Sequence, residues 1–526
     1  MRREEMLARL TRHTGPWDIV VIGGGATGAG IAVDAAARGY SVALLEQSDF
    51  GKGTSSRSTK LVHGGVRYLQ QGNIGLVREA LRERAILRRN APHVVTSLPL
   101  VVPAYTQWQR MFYGTGLTLY DLLAGRHGFG RSRLLSRDTT LARVPTIRAD
   151  GLRGGILYHD GQFDDARLLI NLLQTAAEHG AVVVNYARVL HVSTAAGRVD
   201  GVIALDEEAG AELRLRARVV VNATGAFVDG VRRLALPAAR ALVTTSQGTH
   251  LVLDRRFLPG DTALMIPGIG DGRVLFAIPW HGHTLVGTTD TPTDGPLLEP
   301  RPLPEEIASL LSTASRYLRE APRPADILSA FAGVRPLVRR GETRVTAALS
   351  RDHTIEETNG LITTTGGKWT TYRHMAEETV DRAAASAGLP GRRCRTAALR
   401  IHGFDADPRR HASLAPYGSD APAIAALAEE RPELAATLDA ELPCTGAEVV
   451  WAVRHEMARS VEDVLARRCR ALFLNTAAAV RMAPPVASLM AAELGHPPAW
   501  ERQQCASFAA LAGQYTVPSA LTRESS

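Results

Sequence analysis

Cysteine is scarce. The four in 526 residues are Cys394, Cys444, Cys469 and Cys505, and none stands in C-x-x-C spacing. That argues against a disulfide framework or a cysteine zinc site and fits a reducing compartment. No run of about 18 apolar residues occurs, so no membrane-spanning helix is expected. The charged opening MRREEMLARLTRH does not read as a secretory signal. No basic stripe with interleaved aromatics is present, so nucleic acid is not expected as a partner. His455-Glu456 lacks a second histidine four residues after the first, and no metal site is expected. Lysine is scarcest of all. Only Lys52, Lys60 and Lys368 stand among 61 basic residues, all in glycine-rich segments. An ammonium is a compact point charge that an arginine fork does not replace, so these three segments read as site loops.

Hydrophobic residues make up 45% of the chain, as in a globular protein, and the length predicts two to four domains. The net charge of +8 fits a solvated arginine-rich surface, with attraction to an anionic membrane surface as the next reading. The organising stretch is WDIVVIGGGATGAGIAVDAAARGYSVALLE, residues 17 to 46. An apolar run predicts a buried parallel strand, Ala26 to Arg38 a helix stopped at Gly39, and Ser41 to Leu45 a second strand. Gly23, Gly25 and Gly28 fit G-x-G-x-x-G: a tight turn, close approach to a pyrophosphate, and helix packed on strand. The helix N-terminus offers unpaired N–H groups to phosphate, and Glu46 is placed to accept hydrogen bonds from a ribose.

FGKGTSSRSTKLVHGGVRYLQ (50 to 70) is a hydroxyl-rich, cationic loop that could wrap a pyrophosphate and reach a flavin; Thr54, Ser55, Ser56, Lys60, His63, Gly64 and Gly65 lie in it. A helix is expected over 79–89, and a proline-bounded strand in LPLVVPAY. The aromatic-rich stretch 106–125, followed by Arg126, Arg131, Arg133 and Arg137, reads as an insertion packed on the main domain, with a membrane-facing patch as the alternative. HDGQFDDARLLINLLQTAAEHGAVVV predicts strand, helix, strand; Asp164-Asp165 reads as the helix cap rather than a catalytic pair. Arg218 to Asn222 runs into a turn at Ala223, Thr224 and Gly225 beside the cofactor. Residues 240–290 have the rhythm of an antiparallel sheet, and 292–306 is a proline-rich connector. TTTGGKWTTYRHMAEETV again runs strand, glycines, helix; Thr370 and Thr371 there either cap the helix or present hydroxyls to a flavin. After the linker 388–396 the chain is expected to be nearly all helical and structural. Thr445 and Glu448 form a capping box, and apolar residues from Val449 to Leu465 lie along one face.

IGGGATGAGIAVDAAARG, GTSSRSTKLVHGGVRYLQ, DDARL, NATG, GTTD, AGVRP, SRD (350–352), GGKWTTYR and EVVWAVRHEMARSVEDVLARR are together specific. Over nearly its whole length the chain resembles the FAD-dependent (aerobic) glycerol-3-phosphate dehydrogenases. The resemblance implies an α/β fold: a Rossmann-like FAD-binding domain interleaved with an antiparallel-sheet substrate domain (15–390, with FAD segments about 15–98, 155–240 and 330–390), then a C-terminal α-helical domain (395–520). It implies FAD, a small phosphate-ester substrate, a membrane quinone as electron acceptor, and a cytoplasmic, peripheral place on the inner face of the cell membrane; a homodimer is compatible with it. Arg335, Arg351 and Lys368 fall on family substrate positions. A forked guanidinium suits a phosphate, so Arg351 and Lys368 go chiefly to phosphate and Arg335 to the reacting oxygen. His63 is the best-placed histidine for the flavin or the substrate hydroxyl. The cofactor set is completed by Gly367, Lys368, Thr370 and Thr371. Rival readings are an oxidase using oxygen, an amine or amino-acid oxidase of the same fold, and a flavin-binding membrane-surface protein without turnover.

Overall fold

The apolar run at Ile19–Ile22 becomes the centre of a parallel sheet. The computed structural model describes residues 1–66, 69, 72–269, 273–339 and 353–517. Strand Trp17–Ile22 pairs in parallel with Ala211–Asn222 on one side and Val42–Leu45 on the other, and Leu361–Gly366 and Val182–Val184 extend the sheet. Ile19, Val20 and Val21 are fully buried, worth ~1.5–3 kcal/mol each. Helix Ala26–Ala37 packs between Asp165–Glu178 and Tyr372–Ser386. A Cβ on Gly30 would lie 2.8 Å from the Tyr372 ring, so small residues set that approach. The helix stops at Gly39, φ +85°.

A second sheet of ten strands, among the described residues, carries the rest of the site. The short strands expected over 240–290 are Val243–Asp254, Ala263–Ile269, Arg273–Trp280 and His283–Gly287, joined antiparallel. Val243–Asp254 pairs along its length with Ile327–Val338, which sets Ser246 opposite Arg335. On the same strand, Gln247 stands opposite Thr291.

The unit around 159–184 is strand, helix, strand as expected; Gly154–Phe163 belongs to the antiparallel sheet and Val182–Val184 to the parallel one, so the helix crosses between sheets. Two local expectations need correction. Pro99 and Pro103 lie inside strand Val95–Ala104 rather than at its ends. The helix opened by the Thr445 capping box ends at His455 instead of running to Leu465. There Met457 takes φ +55°, and the Asp463 carboxylate accepts from the N–H groups of Arg459 and Ser460, which starts a new turn. The C-terminal part also holds a hairpin, Thr437–Asp439 with Leu442–Thr445. Its helices pack on the antiparallel sheet, where Phe473 meets Phe331 edge to face at 4.8 Å.

Candidate active site

The glycine turn closes against a second crossing of the chain. Gly23 has φ +107°, and a Cβ there would lie 2.8 Å from the Ala223 carbonyl oxygen. At Gly28 a Cβ would lie 1.9 Å from Gly23 O, so backbone meets backbone with no room for a side chain. Beside the helix N-terminus the Ser55 hydroxyl accepts from Ala26 N at 2.9 Å, and Thr54 Oγ1 donates to Val334 O at 2.5 Å. Glu46 accepts from Gly24 N at 2.7 Å and Ser48 N at 3.0 Å. Burial raises its carboxyl to about 7, against these hydrogen bonds. Gly23, Glu46, Thr54 and Ser55 line a cavity of about 240 Å³ with Gly25, Ala223, Thr224, Gly225, Gly367 and Lys368, while Gly28 lies behind it against Gly23.

A second cavity, about 1000 Å³, shares Thr54, Pro336, Gly367, Lys368 and Trp369 with the first. His63, Gly65, Thr370, Arg335, Asp290 and His250 lie on its wall. The pair of cavities forms a path from a phosphate-binding turn to a cationic chamber, and this fits a flavin dinucleotide. Arg335 Nη2 donates to Thr288 Oγ1 and to Thr289 O, both at 3.1 Å, and Nη1 lies 3.3 Å from Asp290 Oδ1. Asp290 also accepts from Ser246 Oγ. Thr370 Oγ1 accepts from His63 N at 3.2 Å, which ties the GGK helix start to the histidine loop. Gly64 N donates to the Tyr120 hydroxyl at 2.9 Å, and Thr371 Oγ1 donates back to Lys368 O at 3.3 Å, so its hydroxyl does not cap the helix.

A family model described as "FAD dependent oxidoreductase" matches residues 18–373, and "C-terminal domain of alpha-glycerophosphate oxidase" matches 363–505. The chain is 40% identical over 536 residues to a probable mitochondrial glycerol-3-phosphate dehydrogenase of Caenorhabditis elegans, covering 95% of this chain and 74% of that one. The human mitochondrial glycerol-3-phosphate dehydrogenase is 39% identical, over 94% of this chain and 72% of that one. The crystal structure of glycerol-3-phosphate dehydrogenase from Bacillus halodurans complexed with FAD superposes with TM-score 0.79 at 30% identity, over 98% of both chains. The chain belongs to the FAD-dependent glycerol-3-phosphate dehydrogenases. FAD is its cofactor, and the fold is that of the family, with mixed sheets, many helices and the C-terminal helical domain.

Family membership does not place every expected residue on the cavities. Lys60 is wholly buried away from both: its Nζ donates to Asp165 Oδ2 at 2.7 Å and Ser56 O at 2.8 Å, among the rings of Trp280, Phe331 and Phe473. Desolvation lowers this amine to about 7 despite Asp165, and Arg470, 3.2 Å from Asp165, pushes the same way. The side chain of Ser56 is likewise buried. The lysine count pointed to Lys60 because scarcity marks any place where arginine will not fit, an interior ion pair included. Lys52 and Lys368 do line the cofactor path, and Lys52 pairs with Glu462 at 2.8 Å. Asp164 caps its helix through Ala166 N and Arg167 N, as expected. Arg351 lies outside the described residues.

Sequence reasoning gave no role to Asp290 and His250. His250 Nε2 is 2.9 Å from Thr59 Oγ1, and its ring stacks on Phe331. Burial holds its pKa well below the usual histidine value, so it is neutral beside Arg335. The GTTD motif was the available signal for Asp290; nothing local distinguishes His250.

Proposed function

We propose that this chain oxidises sn-glycerol-3-phosphate to dihydroxyacetone phosphate and passes the electrons to a membrane quinone. Arg335, His63 and Lys368 share one cavity at the end of the glycine-lined path, and that observation carries the reading. Bound FAD supplies a two-electron hydride acceptor. Gly23, Gly25, Gly28, the Ser55 loop, Ala223 to Gly225 and Gly367 would hold it. Lys368 and Arg351 neutralise the phosphate dianion. Arg335 stabilises negative charge as the substrate hydroxyl loses its proton, a term worth ~3 kcal/mol or more in a dry site. His63, on the wall of the same cavity, is the proposed proton acceptor.

The choice of a lipid-soluble acceptor is supported by helix Gln107–Ala124. Its Leu117 and Tyr120 pack inward, while Trp108 is 70% exposed and Leu122 74%, with Met111, Phe112, Leu119 and nearby Leu134 also exposed. Trp108, Met111 and Phe112 lie at the wall of the large cavity, and Arg126, Arg131 and Arg133 are exposed close by in the chain. An apolar face rimmed by arginine suits an anionic membrane surface. In this reading the insertion packed on the main domain, with Leu117 and Tyr120 inward, also carries the membrane-facing patch that stood as its alternative. No helix among the described residues is long and apolar enough to cross a membrane, so attachment is peripheral in this reading.

Anaerobic mixing with a panel of phosphorylated and unphosphorylated polyols tests the reaction. Glycerol-3-phosphate should bleach the flavin and glycerol should not; bleaching by an amino acid instead would overturn the reading. In air, rapid peroxide release would identify oxygen as the acceptor.

A further inference from the structure

Glu306 is buried, 3% exposed, in the first turn of helix Pro304–Tyr317. Its Oε2 accepts from Gln247 Nε2 at 2.7 Å, Thr249 Oγ1 at 2.6 Å and Leu303 N at 3.0 Å. Its Oε1 accepts from Thr289 Oγ1 at 2.7 Å and Thr291 Oγ1 at 2.6 Å. A capping box needs only the Leu303 bond. The other four donors come from two separate pieces of chain. Gln247 and Thr249 lie on Val243–Asp254, the strand hydrogen-bonded to the one that carries Arg335. Thr289 and Thr291 bracket Asp290, and the segment 288–290 receives the Arg335 guanidinium through Thr288 Oγ1, Thr289 O and Asp290. Thr289 Oγ1 also accepts from Thr249 N at 2.9 Å, so the two pieces are tied twice. Burial alone would raise the Glu306 pKa; the hydrogen bonds from Thr249, Thr291, Leu303 N and Gln247 hold it below the usual value, so it is charged at neutral pH. Glu306 lines neither cavity.

We propose that Glu306 is a positioning residue for the oxidation: it fixes the Thr288–Asp290 segment against its neighbouring strand, so that the Arg335 guanidinium stands where charge develops on the substrate oxygen. The proposal rests on the reading of Arg335 given above. Four hydroxyl and amide donors converging on one buried anion tie the loop to its neighbouring strand. Such a loop can hold a guanidinium in one place, and small misplacement of a charge-stabilising group costs up to ~100-fold in rate.

The test uses the FAD-loaded enzyme and anaerobic stopped-flow reduction by glycerol-3-phosphate, with Glu306→Gln, Arg335→Ala and the double variant. Glu306→Gln is expected to keep its FAD, to lose ~10- to 100-fold in the limiting reduction rate constant, and to change substrate affinity less than ~3-fold. In the Arg335→Ala background the same substitution should have almost no further effect, because both changes act through one group. Should Glu306→Gln fail to fold, Thr291→Val removes one of the five donors and is expected to lower the rate constant in the same direction by a smaller factor. A lowered melting temperature with an unchanged rate constant in either variant, or losses that multiply in the double variant, would overturn the proposal. An unchanged rate constant in Arg335→Ala alone would instead overturn the reading of Arg335 on which it stands.

Discussion

The parallel sheet and the antiparallel sheet line their cavities with different parts of the chain. At the parallel sheet the lining is largely main chain: Gly23, Gly28 and Ala223 crowd one another, and the Ala26 N–H at the helix start is met by the Ser55 hydroxyl. At the antiparallel sheet it is side chain. Arg335 is set by Thr288 and Asp290 from another strand connection, and those by Glu306 from a helix beyond it. A main-chain surface tolerates no added atom and binds a cofactor common to many enzymes. A side-chain surface can be retuned, and in the proposed function it is the one that selects the substrate.

The largest effect expected from this contrast is at Gly28. Gly28→Ala puts a methyl 1.9 Å from Gly23 O, and backbone on both sides cannot yield. We expect a cost above ~3 kcal/mol and purified protein without flavin absorbance. A yellow, folded Gly28→Ala protein would break the distinction. Arg335→Ala should come next and fail in the opposite manner: FAD content and melting temperature near those of the parent, flavin reduction by glycerol-3-phosphate slower by ~10²-fold or more. Loss of FAD with an unchanged reduction rate would show that this arginine belongs to the cofactor side.

A third effect reaches the cofactor groove through its one ionisable side chain from the fingerprint. Burial raises Glu46 from 4.5 to about 7, so in the ligand-free chain its stabilising contribution is present at low pH and is lost as pH rises through about 7. A ribose hydroxyl donating to the carboxylate favours the charged form. FAD affinity should therefore rise with pH up to about 7, by at most ~10-fold per unit, and level off above. Glu46→Gln should flatten that dependence in a flavin-fluorescence titration. The smallest effect is at the surface. Leu122→Ser with Leu134→Ser should lower co-sedimentation with anionic vesicles by ~3- to 10-fold, through lost apolar burial of a few kcal/mol at most. Parallel loss of flavin reduction by substrate would mean that the two leucines support the cavity rather than face lipid.

How much of this was readable from the chain follows the same division. Strand, glycine turn, helix and second strand at 17–46 were readable because they are neighbours in sequence and each glycine answers a local backbone need. The 240–290 sheet was readable from its short-strand rhythm, and the Thr445 cap from its spacing. The helix to Leu465 was overextended, since the apolar spacing continues while Asp463 offers the backbone a competing set of hydrogen bonds. Lys60 was misplaced, because scarcity of lysine reports that arginine will not fit and not which cavity the amine faces. Glu306 stayed silent. Two of its partners precede it by 57 to 59 residues and two by 15 to 17, and only the pairing of Val243–Asp254 with Thr291–Thr293 and Ile327–Val338 assembles them.

The amino-acid order alone thus determined the cofactor turn, the family and the cationic groups available for a phosphate ester, because those depend on short-range backbone geometry and on residue chemistry. Only the folded chain decided that Lys60 is spent in an interior ion pair, that one apolar face of helix Gln107–Ala124 is left exposed, and that Glu306 gathers donors from two segments beside Arg335. Those outcomes depend on burial and on hydrogen bonds between segments distant in sequence, which no local pattern encodes.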